Sequence, residues 1–173
     1  YRTSAIYHAC DTSLGHLDRV QDKLLEAAGT SAVDALQNLK LAPLSSRRDM
    51  ALLGLIHRTV LGKGPSQFRT FFRLNERRAA GAKQRHRLQL VEFTGGHWSD
   101  FVLPNSRPAD YIARSMLGLV DVYNRLPSHI VEASSNVSSF QTAVQDLLLY
   151  RAAAGYTDWA QTLVLVSLSL IHI

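Results

Sequence analysis

The feature that most constrains this chain is the spacing of its apolar residues. They recur at three- and four-residue steps almost throughout, and Gly or Pro interrupts them wherever a helix should stop. Leu14, Leu17, Val20, Leu24 and Leu25 form one such stripe, with Asp18, Arg19, Asp22 and Lys23 between them. This predicts an amphipathic helix ending near Gly29. Thr30 or Ser31 is placed to cap a second, shorter helix carrying Val33, Leu36 and Leu39. Pro43 then forces a break, because the residue before a proline is pushed out of the helical region. Ser46 and Asp49 have the spacing of a capping box, with Leu44 positioned to staple onto Met50. The helix they open buries Met50, Leu52, Leu53, Ile56, His57 and Val60. Gly62 and Gly64 supply left-handed stop positions before Pro65.

The rest follows the same rule. Ser66–Leu74 reads as a short helix carrying Phe68, Phe71 and Phe72, and Leu88–Phe93 as a short strand or extended connection. A helix is expected over Ala109–Tyr123, ended by Leu126-Pro127. One turn is expected at Ser128–Ala133, and a long helix over Val137–Ala154 burying Phe140, Val144, Leu147 and Leu148. Thr157 is placed to cap a last short helix around Trp159. The expected fold class is all-α, an irregular multi-helix domain with at most one or two short strands. With 173 residues, 46% of them hydrophobic, the chain can bury one real core.

Charge is concentrated rather than spread. Arg73, Arg77, Arg78, Lys83, Arg85 and Arg87 are opposed within their stretch only by Glu76, a local net of +5. The other thirteen basic and thirteen acidic residues cancel. A neutral body with one cationic segment suits contact with a polyanion, and equally suits a solvated loop. Arg47 and Arg48 pose a separate question, because they fall at a helix start, where free N–H groups and the macrodipole disfavour cations. With Ser45 and Ser46 they compose a phosphate seat. Alternatively they reach carboxylates such as Asp22 or Glu26 on the first helix.

Catalytic signatures are missing. The sequence has no adjacent acidic pair for two-metal chemistry, no Gly-x-Ser-x-Gly elbow, no Walker or dinucleotide-binding loop and no His-Glu-x-x-His. Gly62-Lys63-Gly64 lacks the strand and the Lys-Ser/Thr of a phosphate loop. The single cysteine, Cys10, excludes an internal disulfide, and no Cys/His pairs have zinc spacing. No metal, cofactor or catalytic residue is therefore expected, nor a membrane span. His57, on an apolar face, is expected to be a core histidine hydrogen-bonded to the backbone.

The order of "LDRVQDKLL", "LAPLSSRRDMALLGLIHRTVLGKGP", an arginine-rich stretch and "RSMLGLVDVYNRLPSHIVEASSNVSSFQTAVQDLL" resembles the region downstream of the reverse transcriptase core in non-LTR (LINE-type) retrotransposon polyproteins. The likeness covers about residues 5–160, and Tyr123 stands where the family usually has Trp before Asn-x-Leu-Pro. The resemblance implies a thumb and post-thumb helical fragment that helps hold template RNA, primer or target DNA, beside the polymerase core of the same polyprotein. It implies an intracellular place of action, nucleus or cytoplasm. The family's catalytic aspartates lie in an aromatic-x-Asp-Asp motif that this chain lacks, so catalysis is carried to no residue. Nucleic-acid contact is carried to Arg47 and Arg48, while charge alone adds Arg73, Arg77, Arg78, Lys83, Arg85 and Arg87. A first residue of Tyr1 rather than Met reads as the start of a fragment. Residues 164–173, VLVSLSLIHI, alternate with period two like a strand and resemble a translated sequencing adapter. They are taken as a non-native tail, which leaves residues 1–163 as the helical region.

Overall fold

A computed structural model of the chain describes residues 11–67, 72–74, 88–90, 116 and 118–163. The fold is all-α. Among the described residues six α-helices run in order: α1 (Asp11–Ala27), α2 (Ala32–Leu39), α3 (Leu44–Val60), α4 (Leu119–Arg125), α5 (Ser128–Ala133) and α6 (Val137–Ala153). A 3-10 turn at Trp159–Gln161 follows. Two three-residue strands, β1 (Phe72–Leu74) and β2 (Leu88–Leu90), pair antiparallel with Phe72 opposite Leu90, Arg73 opposite Gln89 and Leu74 opposite Leu88.

The chain divides into two compact units, one of residues 1–52 with 141–173 and one of residues 53–140. In the first, Leu25, Ala35, Leu36, Ala42, Met50, Leu52, Val144, Leu148, Ala152, Trp159 and Leu163 are buried. The second buries Leu53, Ile56, Leu119, Val120, Val122, Tyr123, Leu126, Ile130, Val131 and Phe140.

Four helices stop by one device. After α1, α2, α3 and α6 the chain enters the left-handed region, at Gly29, Lys40, Gly62 and Gly155. In each case the next residue's N–H reaches back to a carbonyl of the last turn: Thr30 to Leu25, Leu41 to Ala35, Lys63 to Arg58 and Tyr156 to Arg151. These are Schellman closures, which satisfy carbonyls the helix leaves unpaired. Gly64 is not one of the left-handed positions. It is required for close approach instead, since a Cβ there would lie 2.7 Å from the Thr59 Cα.

Several expectations need correction. α3 begins at Leu44, with the Arg47 N–H bonded to the Pro43 carbonyl at 3.0 Å. Ser46 is therefore inside the first turn rather than capping it, and its hydroxyl donates to the Ala160 carbonyl at 3.2 Å. The Ser66–Leu74 helix is replaced by a 3-10 turn at Ser66–Gln67 and by β1. β2 falls within the Leu88–Phe93 stretch expected as a short strand, while β1 and its pairing with β2 are not revealed by local spacing. Of the helix expected over Ala109–Tyr123, the described part is α4 from Leu119, Met116 and Gly118 being in turns. Ser31 does cap α2, accepting from the Asp34 N–H at 3.0 Å, and Leu126 before Pro127 is extended, ending α4. Thr157 caps nothing: Asp158 precedes the last turn, with no side-chain cap bond. The expectations for residues 68–71, 75–87, 91–115, 117 and 164–173 lie outside the described residues.

Lys40 is the one non-glycine residue with positive φ among those described, at 56°. An L-residue pays about 1–2 kcal/mol there, partly offset by the extra chain entropy of glycine. Lys40→Gly is therefore expected to stabilise the protein by about 0.5–1 kcal/mol in urea unfolding. The bond from Gln145 Nε2 survives the change, because it is made to the Lys40 backbone carbonyl.

Candidate functional site

The two arginines near the start of α3 face α1. Arg48 is buried, and its fork is bidentate on Asp18, with Nη1 2.7 Å from Oδ1 and Nη2 2.9 Å from Oδ2. Arg47 donates from Nη2 to Gln21 Oε1 at 3.2 Å, and Gln21 Nε2 donates in turn to the Ala42 carbonyl at 3.3 Å. Asp18, Gln21 and Leu25 fall on one face of α1 by their three- and four-residue steps. That face, and not the all-apolar stripe, is turned inward. Leu17, Val20 and Leu24 are left 43%, 65% and 63% exposed. The carboxylate used is Asp18 rather than Asp22 or Glu26, and the favourable charge-assisted bonds offset the local cost of cations at a helix start. A 6%-exposed guanidinium with both terminal nitrogens on one carboxylate has no fork left for a phosphate.

The other basic candidates separate from this pair. Arg73 sits on β1 opposite Gln89, and its backbone is all that is described of it. Arg77, Arg78, Lys83, Arg85 and Arg87 belong to the chain that joins β1 to β2 and lie outside the described residues. The antiparallel pairing brings the two ends of that basic segment side by side.

A second polar cluster lies within residues 53–140. His57 is 1% exposed, and its ring stacks on Phe140 with centroids 4.3 Å apart. Nε2 lies 2.9 Å from the Ser134 carbonyl, and Nδ1 lies 2.9 Å from the Tyr123 hydroxyl. A carbonyl only accepts, so Nε2 carries the proton and Nδ1 accepts from the phenol. Burial holds the imidazole below its ordinary pKa of 6.5, a trend the bond to Ser134 opposes. Burial likewise pushes the Tyr123 phenol above its usual range. The backbone bond expected for His57 is present. Its phenol partner, 66 residues away, left no signal beyond an aromatic on an apolar face.

Among the described residues no group of three or more His, Cys, Asp or Glu side chains is placed to hold a metal ion. No helix among them is long and apolar enough to cross a membrane. Comparison with protein-family models, curated proteins and solved structures finds no match to this chain.

If Arg48 ties α3 to α1, Arg48→Ala should cost about 1.5–3 kcal/mol, the range for hydrogen bonds to charged groups. Arg48→Lys should recover only part of that loss, since an ammonium cannot match the carboxylate fork. Chemical denaturation of both variants, with Asp18→Asn to complete a double-mutant cycle, measures the coupling.

Proposed function

We propose that the chain is a non-catalytic, nucleic-acid-gripping region of a non-LTR retrotransposon reverse transcriptase. The observation that carries this is the local net charge of +5 between Arg73 and Arg87 on an otherwise neutral chain. Arg73, Arg77, Arg78, Lys83, Arg85 and Arg87 contact phosphates and release counterions, which gives affinity without base readout. The β1–β2 pairing supports this reading, because it gathers the ends of the cationic stretch. The motif likeness supports it as well. Tyr123, Leu126 and Phe140, from the segment that carries the resemblance, are all buried in the unit of residues 53–140. Arg47 and Arg48 drop out of the contact set, since they are engaged with Gln21 and Asp18. The ligand is template RNA, primer or target DNA, and the polymerase core of the same polyprotein is the protein partner.

A second reading has its own observation. The exposed stripe of Leu17, Val20 and Leu24 on α1 suits a helical protein-interaction module whose basic segment only solubilises.

Titrating labelled single-stranded RNA and duplex DNA with the protein at increasing salt separates the two. Nucleic-acid gripping gives log K falling linearly with log[salt], with a slope of roughly 0.7–0.9 per phosphate contacted. Replacing the six basic residues by Gln should reduce that slope by several units. Absence of binding at low salt, or an unchanged slope in the Gln variant, rejects this function in favour of the interaction module.

A further inference from the structure

A neutral imidazole has one donor and one acceptor to satisfy, and at His57 both are engaged by fixed partners of opposite kind. The Ser134 carbonyl can only accept, so the Nε2 proton is committed to it. The Nδ1 lone pair is then filled by the Tyr123 O–H. Tyr123 is itself 1% exposed, so its hydroxyl has no water to turn to. Adding a proton at Nδ1 sets two donors, N–H and O–H, against each other. The phenol must rotate to accept, and its own hydrogen then loses the one acceptor described for it, a costly change for a buried hydroxyl.

None of the described groups that touch the ring carries a negative charge. The groups that hold the ring are the Tyr123 phenol from α4, the Ser134 carbonyl just after α5 and the Phe140 ring from α6. Of the other described ionisable side chains on α3, α4 and α5 within residues 53–140, Arg58, His129 and Glu132 are exposed and Arg125 is half-buried. Arg58 turns to the Lys63 carbonyl. Protonation therefore leaves an imidazolium buried against an aromatic ring, with no carboxylate among the described groups that hold it.

We infer that His57 is a proton-operated latch, which in its neutral form holds the Leu119–Ser134 segment onto α3 and on protonation releases it. Three connected pieces hang on this one ring: α4 through Tyr123, the end of α5 through Ser134, and the start of α6 through Phe140. Ser134 is tied into α5 by its own hydroxyl, which donates to the Ile130 carbonyl at 2.6 Å. Losing the ring's neutral form thus frees α4 and α5 together. The direction follows from linkage. The folded state prefers the neutral ring, whereas the opened state takes up a proton near pH 6.5. Full stability is present above that pH and is lost as pH falls toward the lower folded value. The inference is independent of nucleic-acid binding.

Amide hydrogen exchange of the full chain, corrected for intrinsic rates, tests it at pH 7.5 and 5.0. Peptides covering α4 and α5 should gain exchange on acidification, up to about thirtyfold if the folded ring stays neutral throughout. Peptides from α2, in the other unit, should change little. His57→Gln, which keeps one donor and one acceptor but cannot titrate, should lose the acid response. If that variant does not fold, imidazole NMR of the wild-type protein decides. The latch requires an Nε2–H tautomer and a titration below 6.5 that coincides with opening of α4 and α5. An acid response retained in the Gln variant, or a His57 ring that titrates at 6.5 or above in the folded protein, overturns it.

Discussion

Helix α3 has to bury polar side chains, and a buried polar group is tolerated only when it is paired. Its sequence places Ser46, Arg48, His57 and Thr59 among its buried residues. Each finds a partner of fixed geometry: the Ala160 carbonyl, the Asp18 carboxylate, the Ser134 carbonyl with the Tyr123 phenol, and the Leu55 carbonyl. Apolar contacts alone would let neighbouring helices slide by a turn with little loss. Directional bonds do not, so they set the register in which α1, α4 and α5 meet this helix.

Much of the fold was legible in the sequence because helix ends are local chemistry. Gly29, Gly62 and Gly155 marked stops through the conformation glycine alone adopts cheaply, and Ser31 marked a start through its side-chain oxygen. Pro127 fixed the end of α4 by restricting Leu126. Lys40 was illegible for the same reason, since nothing in a lysine announces a left-handed backbone. Of the strand pair, β2 falls inside the stretch expected as a short strand, whereas β1 and its partner were illegible because their hydrogen bonds are not made within one local segment.

The candidate site was legible in kind rather than in detail. Periodicity assigned α1 an inward face of Leu14, Leu17, Val20, Leu24 and Leu25, weighing apolar surface alone. The charge pair outweighs that. Turning Asp18 and Gln21 toward Arg48 and Arg47 rotates Leu17, Val20 and Leu24 outward. Such a choice depends on which groups α3 presents, and spacing within α1 carries no trace of it. The sequence raised both fates for the two arginines, and geometry selects the tie to α1. Their cationic charge at a helix start thus has a structural partner rather than a ligand.

The bond from Ser46 to Ala160 spans 114 residues of chain. The unit it belongs to is built from residues 1–52 and 141–173, with residues 53–140 intervening. During synthesis α1 and α2 emerge before Val144, Leu148 and Trp159, which are buried in the same unit. The intervening unit is contiguous and can form from contacts nearer in sequence. The order of assembly on the ribosome should therefore be inside out, with the middle of the chain folding before its two flanks close on each other. In that interval the first flank lacks the residues 141–163 that complete its unit, which is when a chain of this topology is most exposed to chaperones and to aggregation.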